Sequence, residues 1–511
     1  MKNLISKELQ QYNLSWDQGT GFLDTNIDSL LTLLLFCKEN LGFSTLSNIT
    51  VIHAESGASS PEFILYYSLQ NFEENLSLSI KTSPDDKSKM LSVSGLWSYA
   101  KGFEEEIYEL YGLDFESLKS KERFLFADYL EGFPHRSDFD KFRITDKVKS
   151  SLEREFNETP SFKLCEDDIS FHYNVEETLI QDFTFEMGYK HVGFEEDAKD
   201  KTPSAVSSRL GYLNATSPHF WNYSFCHEIE THYGITIPEK AQGLRMIHSE
   251  LSRIKEHLYS LLKLSFDLGY FDYVTNLSLW YEKTTAQIRE LVQYRNETTF
   301  NIIGGVKFDI PFGWTTSCLE YINKLEKELK NEFKQFTRSS FFFEKLQCGH
   351  ITKSEAVNSG VTGPVLRATG YNLDLRKLNP HYFYKDVSFE IPLGLNGKVY
   401  DRFLVLNEEI FQSIKILFQV IDNLPAGDFF SEFDPNILNE KKHIVGVGVE
   451  SANGIIYQDM IISNSKIEKL KLASPGQNSL RLLKTLMNNT FYEDKEMIWN
   501  SLLIKMSEVE R

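Results

Sequence analysis

PEKAQGLRMIHSELSRIKEHLYSLLKLSFDLG, residues 238–269, carries the pattern around which we expect the fold to be organised. Its apolar residues recur at spacings of three and four, which predicts a long helix with one buried stripe. Pro238 begins the segment and Gly269 ends it, as is typical of helix starts and stops. The stripe consists of Leu244, Ile247, Leu251, Ile254, Leu258, Leu261, Leu262 and Leu264.

The other faces of this predicted helix carry ionisable residues. Glu250, Arg253 and His257 are three and four residues apart and therefore share one face. Spacing alone favours a solvated stripe that contains an ion pair. We interpret Arg245 and Arg253 as ion-pair residues of a helical bundle.

The composition indicates a globular protein. A length of 511 residues allows two or three cores, and 41% of the residues are hydrophobic and 14% aromatic. The formal net charge of −19 argues against nucleic-acid binding, which needs a cationic surface, and against unassisted adsorption to an anionic membrane.

No segment has the pattern of a membrane span or a signal peptide. The longest apolar run, residues 30–37, is much shorter than the about 20 residues that cross a bilayer. Residues 1–14 lack the apolar core of a signal peptide, so we expect the chain to stay in the cytosol. The five cysteines include no CxxC pair, which argues against a disulfide framework or a cysteine-rich metal site.

Residues 1–150 are interpreted as a small α/β domain. The pattern predicts a helix over residues 26–36, followed by strands over residues 48–53, 62–69 and 76–81. A block of aromatic and acidic residues then covers 96–115. Within it, Glu104, Glu105 and Glu106 are most simply a solvated helical turn.

Residues 151–511 are predicted to form a helical domain with β-rich insertions. A charged linker is placed at residues 140–165, and alternation then predicts a hairpin from strands 169–175 and 178–186. Long amphipathic segments predict a helical bundle. Glycine-rich segments between the later helices are interpreted as β-like. The predicted helices cover residues 218–233, 238–268, 271–295, 314–336 and 406–424, and the β-like segments cover 302–311, 361–370, 389–403 and 445–454.

Two blocks of the first domain resemble the C-type (30 kDa) subunit of respiratory complex I. That family has an aromatic-Glu-x-Glu-x-Tyr-x-x-aromatic-Gly stretch followed by Glu-Gly-x-Pro-x-Arg-x-Asp-Phe. Phe133 departs from the pattern, because the family usually has His there. The matching residues are Phe103, Glu104, Glu106, Tyr108, Tyr111 and Gly112, then Glu131, Gly132, Pro134, Arg136, Asp138 and Phe139.

The second domain resembles the D-type (49 kDa) subunit of complex I, a relative of the large subunit of group 4 energy-converting nickel-iron hydrogenases. The matching segments are GYKHVGFE, RLGY, residues 238–258, FDLG, IIGGVKFDIP, VTGPVLRATG and VYDRF. The resemblance implies an α+β fold, in which a small α/β domain precedes a hydrogenase-large-subunit-like helical bundle with β-rich insertions. The hydrogenase metal centre needs four thiolates, and no cysteine follows Cys348, so we expect no nickel-iron centre and no metal site.

In complex I the D-type subunit helps to form a quinone pocket, where a Tyr and a His bind the head group and an Asp pairs with the His. The resemblance assigns the Tyr to Tyr212 and the Asp to Asp267, as catalytic residues. Each residue also has a purely structural interpretation. Tyr212 could be a half-buried tyrosine at the end of a strand. Asp267 could be an aspartate at the C-terminal end of a helix, where the helix dipole disfavours its charge. The His does not match, because His172 is the only histidine in residues 160–175 and its neighbours do not fit the motif.

Three residues match positions that lie near the terminal iron-sulfur cluster or on the long helix of the family. His191 is retained beside Val192, where the family has Arg, and Arg209 matches a second Arg. His257 matches a histidine of the long helix, for which an ion-pair or packing role competes with a redox role. We assign His191, Arg209 and His257 as candidate cofactor-binding residues.

Two functions remain open at this point. The first is a subunit of a membrane-associated, complex-I-like NADH/ferredoxin:quinone oxidoreductase, which binds no cofactor by itself and faces a quinone and the iron-sulfur cluster of a partner. Its expected partners are an iron-sulfur small subunit, a ferredoxin-like subunit and membrane subunits, and its expected location is the inner face of the cell membrane. The second is a catalytically degenerate scaffold that couples a peripheral arm to an ion-translocating membrane module.

Overall fold

The computed structural model describes residues 15–16, 22–53, 63–84, 90–116, 118, 123–126, 132–136, 139, 169–188, 191–293 and 299–511. The predicted linker at residues 140–165 and the motif residues Glu131 and Asp138 lie outside these ranges. The expected α+β class is confirmed, because a small α/β unit precedes a region dominated by helices. No helix within the described ranges combines the length and hydropathy needed to cross a membrane.

A five-stranded sheet forms the first unit, in the order β1-β2-β5-β4-β3. The pair β2 and β5 is parallel, and the other neighbours are antiparallel. The buried residues of helix α1 share one hydrophobic cluster with the sheet. The side chain of its N-cap, Asn26, accepts a hydrogen bond from Ser29 N at 2.9 Å. The elements are β1 Ser15–Trp16, β2 Phe22–Asp24, α1 Ile27–Asn40, β3 Thr45–His53, β4 Phe63–Asn71, β5 Leu76–Thr82 and α2 Ala100–Tyr111.

The two halves of the C-type motif meet at the end of α2. Gly112 ends the helix with a φ of 77°, and a Cβ there would lie 2.5 Å from the ring of Phe133. Tyr108 also meets Phe133, with ring centroids 6.1 Å apart. Glycine is therefore required at this position both for the left-handed backbone and for the ring that packs on it.

The second unit is a helical bundle around a long central helix, α6 (Glu239–Asp267), which packs against α7 (Phe271–Val292) and α13 (Val399–Asp422). The predicted hairpin is confirmed by β6 and β7, whose bounds differ from the prediction by one residue. The elements up to the bundle core are β6 Ser170–Glu176, β7 Leu179–Glu186, α3 Phe194–Asp197, α4 Pro203–Leu210, α5 His219–Tyr233, α6 Glu239–Asp267, α7 Phe271–Val292, β8 Asn301–Ile302, β9 Gly305–Val306 and α8 Trp314–Thr337.

The remaining elements complete the bundle and add a small antiparallel sheet of β10–β13. The prediction that residues 361–370 and 389–403 are β-like was wrong, because they contain a short helix, loops and the start of α13. These elements are α9 Ser340–Lys345, α10 Lys353–Ser359, α11 Gly363–Arg367, α12 Leu375–Leu378, α13 Val399–Asp422, β10 Lys442–Ile444, β11 Val449–Glu450, β12 Ile455–Ser463, β13 Lys466–Ala473, α14 Pro475–Met487, α15 Lys495–Ser501 and α16 Met506–Val509.

A buried ion cluster joins the two units. Glu106 of α2 accepts from Lys471 and, at 2.9 Å, from Arg511, and Arg511 also reaches Glu195 at 2.8 Å. Although burial opposes it, the charges of Arg511 and Lys471 lower the pKa of Glu106 to about 2. The predicted solvated turn at residues 104–106 was therefore wrong, because Glu104 and Glu106 are both buried.

Candidate functional site

Tyr212 lies on a short 3-10 turn, Gly211–Leu213, that continues helix α4. The residues before and after it, Gly211 and Leu213, are buried, and Leu210 anchors the end of the helix in the core. The Tyr212 side chain between them is 63% exposed. The phenol therefore faces a surface that another polypeptide could cover.

The turn that carries Tyr212 is held by the C-terminal segment, residues 495–511. Ser507 Oγ donates to the backbone oxygen of Leu213 at 2.8 Å. Asn214 Nδ2 donates to Glu508 Oε1 at 2.7 Å, and the indole of Trp221 donates to the same oxygen at 3.0 Å. These bonds fix the backbone on both sides of the tyrosine.

Asp267 is the last residue of α6 and is half-buried. Asn500 Nδ2 donates to its Oδ2 at 2.6 Å. Burial raises the pKa of the Asp267 carboxyl to about 7, and the charge of Glu496 adds to the rise, whereas the Asn500 hydrogen bond and Lys263 oppose it. This carboxyl can therefore hold or release a proton near neutral pH.

The C-terminal segment links the two predicted catalytic residues. Asn500 contacts Asp267, and seven residues later Ser507 contacts the backbone next to Tyr212. The structure therefore places the tyrosine turn and the end of α6 along one segment. That they line a single quinone cavity stays a prediction.

His191 is also fixed by this segment. Its Nδ1 lies 2.8 Å from the backbone oxygen of Glu510, and its ring packs edge-on against Phe126 at a centroid distance of 4.7 Å. Burial lowers the pKa of His191, so the imidazole is neutral. Val192, where the family has Arg, is 72% exposed beside it.

Arg209 lies three residues before Tyr212, on the last turn of α4. Its guanidinium pairs with Asp197, and both side chains are largely exposed. Lys201 contacts the same carboxylate at 2.5 Å and, with Arg209, holds the pKa of Asp197 below its usual range. Because Arg209 and Lys201 share the single Asp197 carboxylate, the three groups together leave one positive charge near the Tyr212 turn.

His257 lies apart from that surface, in a buried charge network. Its Nε2 lies 2.8 Å from Glu409, which also accepts from Arg367 at 2.7 Å, and Arg367 in turn donates to Glu450 at 2.7 Å. The predicted solvated stripe on this helix was wrong. The network consists of Glu250, Arg253, His257, Arg367, Asp374, Arg376, Glu409 and Glu450, all of them buried.

Four carboxylates and three guanidiniums form this network, so it becomes neutral when one further proton is bound. Burial lowers the pKa of His257, although Glu409 opposes this, and burial raises the pKa of Glu450. The network fixes His257 inside the bundle, and a cofactor role for this histidine stays a prediction. The expected ion-pair role of Arg245 is confirmed by its contact with Glu230 at 2.7 Å.

The residues that sequence reasoning missed belong mainly to the C-terminal segment. Asn500, Ser507 and Glu510 touch Asp267, the Tyr212 turn and His191 respectively. Their polar side chains have no distinctive spacing that could have indicated this role. Among the described residues, no group of three or more His, Cys, Asp or Glu side chains is arranged to hold a metal ion.

Two family models match the chain. Residues 23–143 match the respiratory-chain NADH dehydrogenase 30 Kd subunit, and residues 267–452 match the 49 Kd subunit of the same enzyme. The two matches occur in the order that the two sequence motifs predict.

Similar proteins carry the same fusion in their names. The NADH-quinone oxidoreductase C/D subunit of Bdellovibrio bacteriovorus is 28% identical over 469 residues, which cover 87% of this chain and 83% of that protein. The protein of the same name from Phocaeicola vulgatus is 27% identical over 481 residues, 86% of this chain and 90% of that protein.

A solved structure shares the fold. A chain of the membrane-bound sulfane sulfur reductase, an archaeal respiratory membrane complex, superposes with a TM-score of 0.64 at 24% identity, and the match covers 68% of this chain and 95% of that one. Because both complex I domains are joined here in one polypeptide, as in its relatives, the chain belongs to the complex I family as a fused C/D-type subunit of a complex-I-like NADH-quinone oxidoreductase.

Proposed function

We propose that this chain forms one wall of a quinone pocket, with Tyr212 as proton donor and Asp267 as its acidic partner. The observation that carries the proposal is the common attachment of both sites to the C-terminal segment, through Ser507 and Asn500. The exposed phenol leaves one side of the pocket to be completed by a partner polypeptide.

Reduction places negative charge on the quinone oxygens, and a positioned proton donor neutralises it. The Tyr212 phenol can donate to one oxygen. The carboxyl of Asp267, whose pKa lies at about 7, can supply a proton at neutral pH and take one up again afterwards. The missing histidine hairpin of the family gives Asp267 a larger share of this task.

We further propose that His191 and Arg209 face the iron-sulfur cluster of a small partner subunit. His191 is neutral and donates its one N–H from Nδ1 to the Glu510 backbone oxygen, so its Nε2 can act as a hydrogen-bond acceptor without adding charge. Arg209 supplies the positive charge that remains, because Val192 replaces the other family arginine. The chain itself holds no cofactor in this proposal.

The proposed assembly adds a ferredoxin-like subunit and membrane subunits, with this chain peripheral on the inner face of the cell membrane. Within the chain, we propose a boundary near residue 150 between a C-type domain, 1–150, and a D-type domain, 151–511. It is supported by one hydrophobic cluster whose buried residues all lie between 23 and 115, before the proposed boundary.

The test is quinone reductase activity of the intact complex that carries Tyr212→Phe. The phenyl ring fills the same space without the proton donor, so we expect kcat to fall on the order of 10- to 100-fold. Tyr400→Phe is the matched control, because this half-buried tyrosine packs on Phe343 outside the proposed pocket. Equal activity of the two variants would remove Tyr212 from the reaction.

A second candidate function is a scaffold that couples a peripheral arm to an ion-translocating membrane module. The exposed Val192 favours it, because an apolar residue replaces an arginine that serves the cluster in the family. In this case the Tyr212→Phe complex keeps its full activity and assembly, while substitutions that disturb the unit interface at Arg511 uncouple ion transport.

A further inference from the structure

A cavity of about 360 Å³ lies between the two units, away from the proposed quinone wall. None of its lining residues belongs to α6, to the Tyr212 turn or to the C-terminal segment 495–511. One side is built by the first unit, from the end of α1 to the start of α2, and the other by α10, α11, β12 and the start of α14. A cavity of this size at a domain junction is typical of a small-molecule site.

The walls are aromatic and held in position. Trp97 donates its indole N–H to the Ser44 backbone oxygen at 2.8 Å, and the hydroxyl of Tyr99 accepts from Leu46 N at 3.0 Å. The second unit contributes Tyr371 and Tyr457. Because hydrogen bonds fix rings on the first side, the space does not simply collapse, and it suits a flat apolar body.

One cation lines the cavity. The Lys38 ammonium donates to the Leu96 backbone oxygen at 2.5 Å and lies 5.3 Å from the centre of the Trp97 ring. Within the described ranges, no carboxylate lies within ion-pairing distance of it. An ammonium has three N–H donors, so two remain for a ligand.

Ser474, in the wall formed by the second unit, is a further polar residue of the lining. Ser474 Oγ is buried and has no hydrogen-bond partner among the described residues. A buried hydroxyl without a partner costs free energy. The lining thus combines aromatic walls with a cation and an unsatisfied hydroxyl.

We propose that this cavity binds a small amphipathic monocarboxylate, with its flat apolar body among the aromatic rings and its carboxylate on Lys38. The site is independent of quinone reduction. Because both units contribute to the walls, the ligand stabilises their contact, in the same way that any ligand specific for the folded state raises stability.

The test uses the full chain and two probes of the same shape, 1-naphthylacetate and the uncharged 1-naphthaleneethanol, with affinities measured by titration calorimetry. We expect the anion to bind at least about tenfold more tightly than the alcohol, because the charged hydrogen bond to Lys38 adds to the apolar contact. The anion should also raise the thermal unfolding temperature.

Lys38→Gln should remove this preference and leave the affinity for the alcohol unchanged, whereas Lys38→Arg should keep it. Lys101→Gln is the matched control, since this exposed lysine loses the same charge outside the cavity. Lys38 is only partly buried, so the variants should fold, and their unfolding temperatures without probe verify this. Failure of both probes to bind the wild-type chain, or an unchanged anion affinity in Lys38→Gln, would overturn the proposal.

Discussion

Replacement of Asp267 by Asn should stabilise the protein relative to the wild type, and this gain should be larger at alkaline pH than at acidic pH. The wild-type carboxyl is half-buried at the end of α6, and burial raises its pKa to about 7. The amide of Asn has a similar shape and cannot ionise. The substitution therefore removes a charge that the folded protein accommodates poorly above pH 7.

The sign follows from proton binding. An aspartate in the unfolded chain has a pKa of about 3.9, so between about pH 4 and pH 7 the folded state keeps a proton that the unfolded state has lost. Wild-type stability thus falls as the pH rises through this window and is level above it. The two pH units between 5 and 7 correspond to at most ~3 kcal/mol. Solvent that reaches the half-buried carboxyl reduces this to ~1 to 2 kcal/mol.

Urea unfolding of the wild type and of Asp267→Asn at pH 5 and pH 8 measures the effect. The free energy of unfolding of the variant minus that of the wild type should be larger at pH 8 than at pH 5, by ~1 to 2 kcal/mol. Asp197→Asn is the control, because the pKa of Asp197 lies below its usual range and the carboxyl stays ionised at both values of pH. A difference that is equal at pH 5 and pH 8 for Asp267→Asn would refute the reasoning.

Three further substitutions probe the packing, each by urea unfolding. Arg511→Met leaves two buried carboxylates without their guanidinium and should lower the free energy of unfolding by ~3 to 5 kcal/mol. Arg209→Met breaks an exposed ion pair and should lower it by less than ~1 kcal/mol. Equal losses in the two variants would contradict the buried cluster. Gly363→Ala places a Cβ 2.5 Å from the Gly454 backbone at a φ of +67° and should lower the free energy of unfolding by more than ~2 kcal/mol. Gly234→Ala has nearly the same φ, +68°, with open space around the Cβ, and should lower it by only ~1 kcal/mol. His257→Leu removes a buried hydrogen bond to a carboxylate and should cost ~1 to 3 kcal/mol, so an unchanged midpoint would exclude that bond.

Local patterns predicted several elements closely. The hairpin of β6 and β7 follows from residues that alternate between apolar and polar, because side chains of a strand point to opposite faces in turn. Helix α1 was predicted four residues too short at its C-terminal end, and α13 seven residues too short at its N-terminal end, since the ends of a helix depend on capping contacts that periodicity does not show.

The glycine-rich segment around residues 361–370 does not form the predicted β structure. Its glycines and valines suggested β structure, yet Gly363–Arg367 is a helix. Gly363 approaches the Gly454 backbone so closely that a Cβ would lie 2.5 Å away. Gly363 and Gly454 thus allow two backbone segments about ninety residues apart in the chain to come into close contact. The local sequence does not indicate such a contact.

The sequence by itself determined the long central helix, its apolar stripe and, through two ordered motifs, the fused C/D architecture, because periodicity and motif spacing are local properties of the chain. It also indicated Tyr212 and Asp267 as candidate pocket residues, which stays a prediction. Only the tertiary structure decided that the polar face of this helix is buried and that the C-terminal segment holds the tyrosine turn and Asp267. The physical reason is that spacing tells which charges share a face, whereas the groups that compensate them come from distant parts of the chain, as Glu409 does for His257.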